Sequence, residues 1–478
     1  MKGAIAAGQP LTADAGARVL RAGGSAVDAC VAAAFVSWVC ESPLTGPGGG
    51  GFMLVHEAET GQTSVLDCFV SVPREAGSAD ELLELSVDFD GDTQQVFRTG
   101  APAVAVPGKA LGLEAAHRRW GRLDWAELVA PAVSLAREGF ELTAMQAYLH
   151  RILDPLLRHS PEGDRMYGNG GRPFAEGERF AIPQLAETLE LIACEGAGVL
   201  YRGALAERVV EHVREGGGSL ALEDLAEYEV VEREPVSVAY RGHEFRSNPP
   251  PSSGGVLIAL GLQALGEREP TPSAIAEAME AQEAARDATF ARALYTGDAV
   301  GRLLKGTTHI AVLDPEGNAA SLSASLGSGS GVVVPETGIH LNNMLGELDL
   351  MGASKPGERL TSMMAPSIVL AGDRPRLVLG SAGSARLRGA ILQVTANVVA
   401  RGLDVAAAVD APRVHAESGV VHCEDPAAAD ELEAGGRAVV RWRERNLFFG
   451  GVSAVEVRAD GTSAAAGDPR RGGAGVVA

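Results

Sequence analysis

The chain has 478 residues, enough for a large hydrophobic core and, by length alone, for two or three domains. With 46% hydrophobic and 22% charged residues, its composition is that of a globular protein that folds in water. The formal net charge of −21 would repel nucleic-acid phosphates and anionic lipids, which argues against a nucleic-acid or membrane partner.

Two further features bear on location and cofactors. The longest apolar run, residues 29–40, is too short to span a bilayer, and the first residues leave no room for the hydrophobic segment of a secretion signal. The five cysteines are scattered and show neither a disulfide pattern nor the spacing of a zinc site. We therefore expect a cytoplasmic protein with no metal and no other cofactor.

The first two predicted elements are helices. Thr12 is a good N-cap, so the first helix is predicted to run from there to Gly23. Ser25 and Asp28 have the spacing of a capping box, and a second helix is predicted to follow them to about Cys40. Because this second helix is apolar on almost every side, we expect it to be buried between layers.

A glycine-rich loop at residues 46–51 precedes a predicted hairpin with strands at 52–56 and 63–70. Its glycines match the GxGxxG pattern of dinucleotide-binding loops, but that pattern requires a strand before the loop and a helix after it. Here the order is reversed, which favours a tight turn that other backbone approaches closely.

Apolar residues at three- and four-residue spacing predict a largely helical region between residues 107 and 304. A short strand is predicted at 240–248, followed by the proline-rich loop 249–255, which we interpret as a rigid connection. Since no repeat or long linker separates the parts, we expect one integrated structural unit. The predicted helices are 112–120, 125–137, 183–194, 204–215 and 272–294.

The periodicity changes after Gly306, where alternation replaces helical spacing. The sequence then predicts two hairpins, 308–313 with 319–326 and 367–371 with 376–380. The second hairpin runs into the glycine-rich stretch 380–384 and a helix at 386–401. Backbone N–H groups at such a turn could hold an oxyanion, although a plain tight turn explains this fragment equally well.

The first of these hairpins has a predictable register. A turn centred on Glu316 makes Leu313 face Ala319 and Thr307 face Ser325, within a slack of one or two residues. A second hydroxyl is therefore predicted beside Thr307.

Other hydrolase and nucleotide signatures are missing from the sequence. No serine stands at the centre of a GxSxG pattern, and neither HExxH nor GxxxxGK[ST] occurs. The ten histidines do not cluster, so no metal ligand set is visible. The hydroxyl-rich hairpin that begins at Thr307 is the candidate site that remains.

A series of stretches, in order along nearly the whole chain, resembles one known family. They are GGSAVDA at 23–29, GGGGF at 48–52, PPPSSGG at 249–255, TTH at 307–309, GIHLNN at 338–343, DAPR at 410–413 and DPRR at 468–471. On these motifs the chain resembles the γ-glutamyltranspeptidase family of N-terminal-nucleophile hydrolases.

The resemblance implies an α+β fold, a four-layer αββα sandwich with a helix-rich N-terminal two-thirds and a strand-rich C-terminal third. It also implies an inactive precursor that cuts itself between Gly306 and Thr307. The products would be a large chain, 1–306, and a small chain, 307–478, which stay associated. The implied substrate is a small-molecule amide or a γ-glutamyl-like compound.

By the same resemblance, Thr307 is the nucleophile. Its freed α-amine would titrate near ~8 and supply the base that a weakly nucleophilic hydroxyl needs. Ser325 matches a hydroxyl residue that supports the nucleophile, and Gly383 and Ser384 match the backbone pair that holds the oxyanion. Gly327 departs from the family, which has an asparagine there.

The residues that would bind substrate match the family only in part. Thr361 and Ser362 match its Ser-Ser pair, and Asn343 and Glu347 lie in the loop where a carboxylate meets a substrate amine. Phe69, however, stands where the family has an arginine for the substrate α-carboxylate. Losing that guanidinium removes charge-assisted hydrogen bonds of about 1.5–3 kcal/mol, so we expect γ-glutamyl recognition to be weakened or changed.

Two other functions stay open on the sequence alone. A family member that is processed but catalytically idle would act as a binding or structural protein. A related hydrolase would instead cleave another bond, such as an activated C–C bond in secondary metabolism. Self-cleavage one residue later would move the nucleophile to Thr308.

Overall fold

The structure is a computed structural model and describes residues 1–75, 82–89, 93–286, 306–347, 355–383 and 386–478. Two antiparallel sheets form its centre, and the larger one has seven strands. Neighbouring strands of this sheet come from distant parts of the chain. In spatial order they are Val231–Arg233, Thr63–Cys68, Gly50–His56, Ala319–Gly327, Gly306–Leu313, Ala4–Ala7 and Ala474–Val477.

The second sheet has six strands and shares an apolar interior with the first. Side chains of the strand Gly306–Leu313 alternate between two cores: Ile310 packs among helices, whereas Ala311 packs in a cluster with Val378 of the second sheet. The six strands, in spatial order, are Val236–Tyr240, His243–Ser247, Ser367–Ala371, Arg374–Ala382, Gly451–Val457 and Ser463–Gly467.

Two groups of helices each share a buried apolar core with one sheet. The group that packs with the seven-stranded sheet comprises Pro10–Arg21, Ala26–Cys40, Lys109–Trp120, Trp125–Glu138, Ala144–Ile152, Asp154–Leu157, Pro161–Tyr167, Pro183–Glu195, Ala204–Glu215 and Leu222–Ala226. The group that packs with the six-stranded sheet comprises Gly254–Leu265, Pro272–Ala284, Arg386–Val399, Val405–Asp410 and Pro426–Ala434.

Shorter strands form separate small sheets. They are Leu83–Phe89 with Thr93–Thr99, Phe140–Glu141 with Arg179–Phe180, Gly168–Asn169 with Arg172–Pro173, Val333–Val334 with Ile339–His340, and the trio Val414–Glu417, Val420–Cys423 and Ala438–Arg441. Within the described ranges, no helix is both long enough and apolar enough to cross a bilayer.

The capping box predicted for the second helix is confirmed. The Asp28 N–H donates to the Ser25 hydroxyl at 3.1 Å, and the Ser25 N–H donates to the Asp28 carboxylate at 2.9 Å. The helix Ala26–Cys40 is buried along its whole length, as its apolar composition predicts.

The N-cap predicted for the first helix is wrong. This helix begins at Pro10, and the Gln9 side chain caps it in place of Thr12. Proline suits the first helical position because its φ is preset and it has no N–H to satisfy.

The strand predicted at 240–248 is in fact split between two strands of a hairpin, Val236–Tyr240 and His243–Ser247. Arg241 and Gly242 both have positive φ, 48° and 78°, as a tight two-residue turn requires. The other predicted helices are confirmed to within three residues at both ends, except the one predicted at 272–294. That helix ends at Ala284, so its predicted end is wrong, and residues 287–294 lie outside the described residues.

Candidate active site

Thr307 lies at a bulge at the end of the central hairpin. The predicted register is confirmed up to Thr308, and the pairing then shifts by one residue. Thr307 therefore faces Ser325 and Leu326 on the return strand. Thr307 is 2% exposed and Ser325 is 1% exposed. The Ser325 hydroxyl also accepts from the Gly327 N–H at 2.7 Å, which fixes it at this end of the strand.

Phe69 lies at the same end of the sheet, two strands beyond Ser325. Ser325 pairs with Gly50, and a Cβ at Gly50 would lie 3.0 Å from the Phe69 Cα. The Phe69 ring is 1% exposed and stacks on Phe52 with ring centroids 5.2 Å apart. It therefore contributes to the apolar interior between the sheets.

The loop after the return strand brings Asn343 and Glu347 to Gly327. The Asn343 Oδ1 accepts from the Ser328 N–H at 2.9 Å, and its Nδ2 donates to the Arg98 carbonyl at 3.2 Å. Gly327 has a φ of +74°, and a Cβ there would lie 2.0 Å from the Asn343 Oδ1 and 2.6 Å from the Glu347 Oε1. In this chain, therefore, the position requires glycine.

Thr361 and Ser362 are held by the proline-rich loop 249–255. The Thr361 hydroxyl donates to the Pro251 carbonyl at 2.8 Å, and the Ser362 carbonyl accepts from the Ser253 N–H at 2.8 Å. The loop is therefore more than a connection, because it fixes this segment in place.

The segment that carries Thr361 also meets the residues that follow Phe69. The Leu360 N–H donates to the Val70 carbonyl at 3.1 Å. Phe69 and the Thr361 segment are thus joined, while the pocket beside Thr307 has its walls elsewhere.

The strand Arg374–Ala382 of the second sheet brings Gly380 against the first sheet, and Gly383 directly follows this strand. A Cβ at Gly380 would lie 2.3 Å from the His309 ring, so the two sheets meet closely here. Gly383 has a φ of +126°, and a Cβ there would lie 2.6 Å from the Gly450 Cα. Ser384, the other residue predicted to hold the oxyanion, lies outside the described residues.

His309, although it follows the two threonines, is not placed to act as a base. Its Nδ1 lies 2.9 Å from the Ser323 hydroxyl, and the side chain is buried. Burial lowers the pKa of His309 to about 3, so its imidazole is uncharged at neutral pH and already engaged. A base for Thr307 must come from another group.

A narrow pocket opens beside Thr307 and Thr308. Its walls come from residues 8–9, the end of the helix Ala26–Cys40 with the residues that follow it, the helix Ala144–Ile152 and the loop 468–473. Besides the two threonines, its polar lining residues include Gln9, Glu41, Thr143, Gln146, His150, His309, Ser453, Asp468 and Arg471. In the part of the chain that the structure describes, no group of three or more His, Cys, Asp or Glu residues is arranged to hold a metal ion.

Glu41 is a buried carboxylate in this pocket, and no motif in the sequence marks it. Its Oε2 accepts from the Thr308 hydroxyl at 2.5 Å, and its Oε1 accepts from the Thr12 hydroxyl at 2.8 Å. Burial raises the pKa of Glu41, and the two hydroxyl hydrogen bonds together with the positive charge of Lys109 partly oppose that rise.

Two buried cations lie near this carboxylate. Burial lowers the pKa of Lys109 to about 7, although the charge of Glu41 opposes the shift, and the Lys109 ammonium donates to the Thr45 hydroxyl. Burial also lowers the pKa of Arg471 to about 10, against the charges of Asp468 and Glu41. Charges of both signs are therefore shielded from water beside Thr307, where they interact more strongly than at a surface.

Comparisons with known proteins agree with one another. The family model described as gamma-glutamyltranspeptidase matches residues 12–304 and 275–478. The chain is similar to the glutathione hydrolase proenzyme of Bacillus subtilis, with 29% identity over 540 residues that cover 99% of this chain and 91% of that protein. It is also similar to the acylase ACY 1 proenzyme of Pseudomonas sp. (strain SE83), with 32% identity, covering 96% of this chain and 91% of that protein.

A solved structure gives the same result for the fold. The cephalosporin acylase from Bacillus halodurans matches with a TM-score of 0.85 and 27% identity, and the match covers 99% of this chain and 95% of that one. The mixed arrangement of helices and sheets is therefore shared with that acylase over almost the whole chain.

Proposed function

This chain belongs to the gamma-glutamyltranspeptidase family, and on that premise we propose that it is a self-processing amide hydrolase or acyltransferase with Thr307 as its nucleophile. The observation that carries the proposal is the position of Thr307, buried at a bulge beside Ser325 and lining a pocket that also contains Glu41 and Arg471. We also infer that the two helix groups and two sheets form a four-layer αββα sandwich, because each helix group packs with one sheet and the sheets share a core.

Self-cleavage would begin when the Thr307 hydroxyl attacks the Gly306 carbonyl carbon. The peptide C–N bond breaks as the acyl group moves to oxygen, and the amine of Thr307 takes a proton. Water then hydrolyses the ester, leaving a carboxylate on Gly306 and restoring the Thr307 hydroxyl. This sequence consumes one water molecule and needs no cofactor.

The two products, 1–306 and 307–478, would stay together as one unit because their strands alternate in one sheet. The strand Ala319–Gly327 pairs with Gly50–His56, and the strand Ala4–Ala7 lies between Gly306–Leu313 and Ala474–Val477. Separation would break rows of main-chain hydrogen bonds and expose the shared apolar core.

In turnover, the α-amine of Thr307 takes the proton of its own hydroxyl as that hydroxyl attacks a substrate amide. An α-amine titrates near ~8, close to the pH of operation, so it serves as a base without a histidine. Ser325 supports the nucleophile from the adjacent strand. The N–H groups of Gly383 and Ser384 would stabilise the oxyanion, and water or an acceptor amine would release the acyl group.

The acyl group is proposed to differ from γ-glutamyl. Asn343, Glu347, Thr361 and Ser362 are the candidate contacts for the polar part of the substrate. Phe69 replaces a guanidinium with a buried ring, and an aromatic ring cannot donate two hydrogen bonds to a carboxylate. A small amide whose acyl group lacks an α-carboxylate fits this site better than a γ-glutamyl compound.

The relatives support an enzyme more than the alternatives considered from sequence. The proteins named above are a glutathione hydrolase and two acylases, and none of these names refers to a binding protein or to cleavage of a C–C bond.

The N-terminal sequence of the smaller fragment tests the proposal. Purified protein is expected to give two bands on a denaturing gel, with a smaller fragment beginning Thr-Thr-His. Thr307→Ala should stay uncut and inactive, and Thr307→Ser should cut more slowly at the same bond. A fragment that begins at Thr308, or an uncut chain with full amidase activity, would overturn the assignment of Thr307.

A further inference from the structure

Glu41 occupies a position where a carboxylate is expected to be unfavourable. It follows the last residue of the helix Ala26–Cys40, so it lies at the negative end of the helix dipole. It is only 6% exposed, and burial of a carboxylate removes its hydration. An uncharged side chain at the same point would avoid both penalties, so the carboxylate needs a reason to be here.

The contacts of Glu41 connect it to the strand that carries Thr307. The two carboxylate oxygens bind different partners: Oε2 accepts from the Thr308 hydroxyl at 2.5 Å, and Oε1 accepts from the Thr12 hydroxyl at 2.8 Å. Thr308 directly follows the proposed nucleophile. Both Glu41 and Thr307 line the same pocket, so the carboxylate lies close to the candidate nucleophile.

The backbone at Gly8 packs closely against this contact. A Cβ at Gly8 would lie 2.9 Å from the Glu41 Oε2 and 3.1 Å from the Thr308 hydroxyl. The glycine therefore lets the main chain of residue 8 close directly over the hydrogen bond, and water has little access to it. A hydrogen bond to a charged group in such a place is among the stronger ones in proteins.

We propose that Glu41 is a positioning residue for Thr307, acting through the hydroxyl of Thr308. The proposal rests on the proposed function. Cleavage at Gly306 removes the covalent restraint on Thr307, and a chain end that is not tied down tends to fray. Thr308 is then the first residue with a peptide bond on both sides. Its side chain, held by Glu41, fixes the main chain from which the nucleophile and its α-amine project.

Thr12 provides a matched control for this role. Its hydroxyl donates to the same carboxylate at a similar distance, and Thr12 is as buried as Thr308. Thr12 lies in the helix Pro10–Arg21, however, and not in the strand that carries Thr307. A purely structural function of the cluster would make Thr12→Val and Thr308→Val equivalent. A positioning function requires that only the variant at Thr308 disturbs the chemistry.

The experiment compares Thr308→Val, Thr308→Ser and Thr12→Val in the full chain. The readouts are the rate of self-cleavage on denaturing gels, kcat and KM on a p-nitroanilide substrate, and Tm. The substrate is whichever of the butyryl, 4-aminobutyryl, glutaryl and γ-glutamyl p-nitroanilides the unaltered chain hydrolyses fastest. We expect Thr308→Val to lower kcat by roughly tenfold to a hundredfold, the range seen when a reacting group is slightly misplaced, and to slow self-cleavage with little change in KM. Thr308→Ser should recover most of the kcat, and Thr12→Val should lower Tm without this loss of rate.

A second pair of variants tests the same contact in case Thr308→Val folds poorly. Glu41→Gln keeps an oxygen that accepts from Thr308, whereas Glu41→Leu does not, so only the leucine variant should show the loss of kcat. Combining Glu41→Leu with Thr308→Val should cost no more than either change alone, because both remove one interaction.

Equal kcat in Thr12→Val and Thr308→Val, or in Glu41→Gln and Glu41→Leu, would overturn the inference. Such a result leaves the proposed function intact as long as the unaltered chain cuts itself at Thr307 and hydrolyses an anilide. Failure of the unaltered chain to do either would instead contradict the proposed function.

Discussion

Arg413 and Asp468 form a buried ion pair, with the Arg413 Nη2 2.5 Å from the Asp468 Oδ2. Each side chain is 2% exposed. Burial would raise the pKa of Asp468, but the charges of Arg413 and Arg470 outweigh it and hold that pKa below its ordinary value. Since Asp468 and Arg471 both line the pocket beside Thr307, this pair fixes the last loop of the chain against the candidate site.

The first prediction concerns that pair. Asp468→Asn leaves the Arg413 guanidinium buried with its charge uncompensated, which typically costs about 3–5 kcal/mol. Asp410→Asn is the matched control, because Asp410 pairs with Arg445 at 2.5 Å with side chains 53% and 46% exposed. An exposed pair contributes about 0–1 kcal/mol. Free energies of unfolding in urea, measured on the uncut Thr307→Ala chain, should show this difference, and equal losses would contradict it.

The second prediction concerns acid stability. Burial lowers the pKa of His150 to about 4, and its ring packs against Tyr167, Phe174 and Phe180. An unfolded histidine has a pKa near ~6.5, so the unfolded chain binds an extra proton between these values. The contribution of neutral His150 to the free energy of unfolding is therefore fully present above about pH 6.5. It is lost as the pH falls toward 4, by about 1.4 kcal/mol per pH unit.

His150→Phe isolates this effect, since phenylalanine keeps the aromatic packing and takes up no proton. Between pH 7 and 4.5, we expect the free energy of unfolding to fall less in the variant than in the unaltered chain. The difference between the two falls should be roughly 2–3 kcal/mol. Parallel pH curves for the two proteins would show that His150 does not contribute to the acid sensitivity.

Local patterns in the sequence predict much of this fold. The capping box at Ser25 and the register of the hairpin beyond Thr308 follow from neighbours a few residues apart, and both are confirmed. The N-cap at Thr12 is wrong because Gln9 and Pro10 compete for the same helix start. Propensity alone ranks threonine above glutamine as a cap and so selects the wrong residue.

The candidate site is harder to predict because its polar groups are distant in sequence. Glu41 and Thr308 are 267 residues apart, and neither belongs to a motif that names the other. Their contact depends on how an interior helix packs on a sheet, which periodicity does not specify. Gly327 is similar, since the crowding by Asn343 and Glu347 that requires a glycine is visible only in three dimensions.

The third prediction concerns Gly327. An alanine there would have a φ of +74° and a Cβ 2.0 Å from the Asn343 Oδ1, so it must adopt a strained backbone and displace that side chain. The strain costs about 1–3 kcal/mol, and overpacking adds a similar amount. Gly402 is the control, because its φ is +66° but a Cβ there would meet nothing within 4 Å.

Both glycine variants are expected to lose stability, and Gly327→Ala should lose more by about 1–3 kcal/mol. Only Gly327→Ala should also lower kcat/KM, since Asn343 is a proposed substrate contact. Equal effects of the two variants on stability and activity would mean that the loop tolerates the displacement.

The fourth prediction concerns the acyl group and uses four p-nitroanilides that differ by one group at a time. The γ-glutamyl compound carries an α-amine and an α-carboxylate, the 4-aminobutyryl compound only the amine, the glutaryl compound only the carboxylate, and the butyryl compound neither. The compounds form two pairs that differ only in the carboxylate: γ-glutamyl with 4-aminobutyryl, and glutaryl with butyryl. A dedicated guanidinium would favour the carboxylate-bearing member of each pair by about 1.5–3 kcal/mol, or roughly tenfold to over a hundredfold in kcat/KM. Because Phe69 is a buried ring stacked on Phe52, we expect no such gain from adding the carboxylate, with or without the amine. The comparison within pairs cancels differences in the leaving group and in the intrinsic reactivity of the amide. A gain of tenfold or more on adding the carboxylate in both pairs would show that another cation binds it, and the proposed change in acyl specificity would then be wrong.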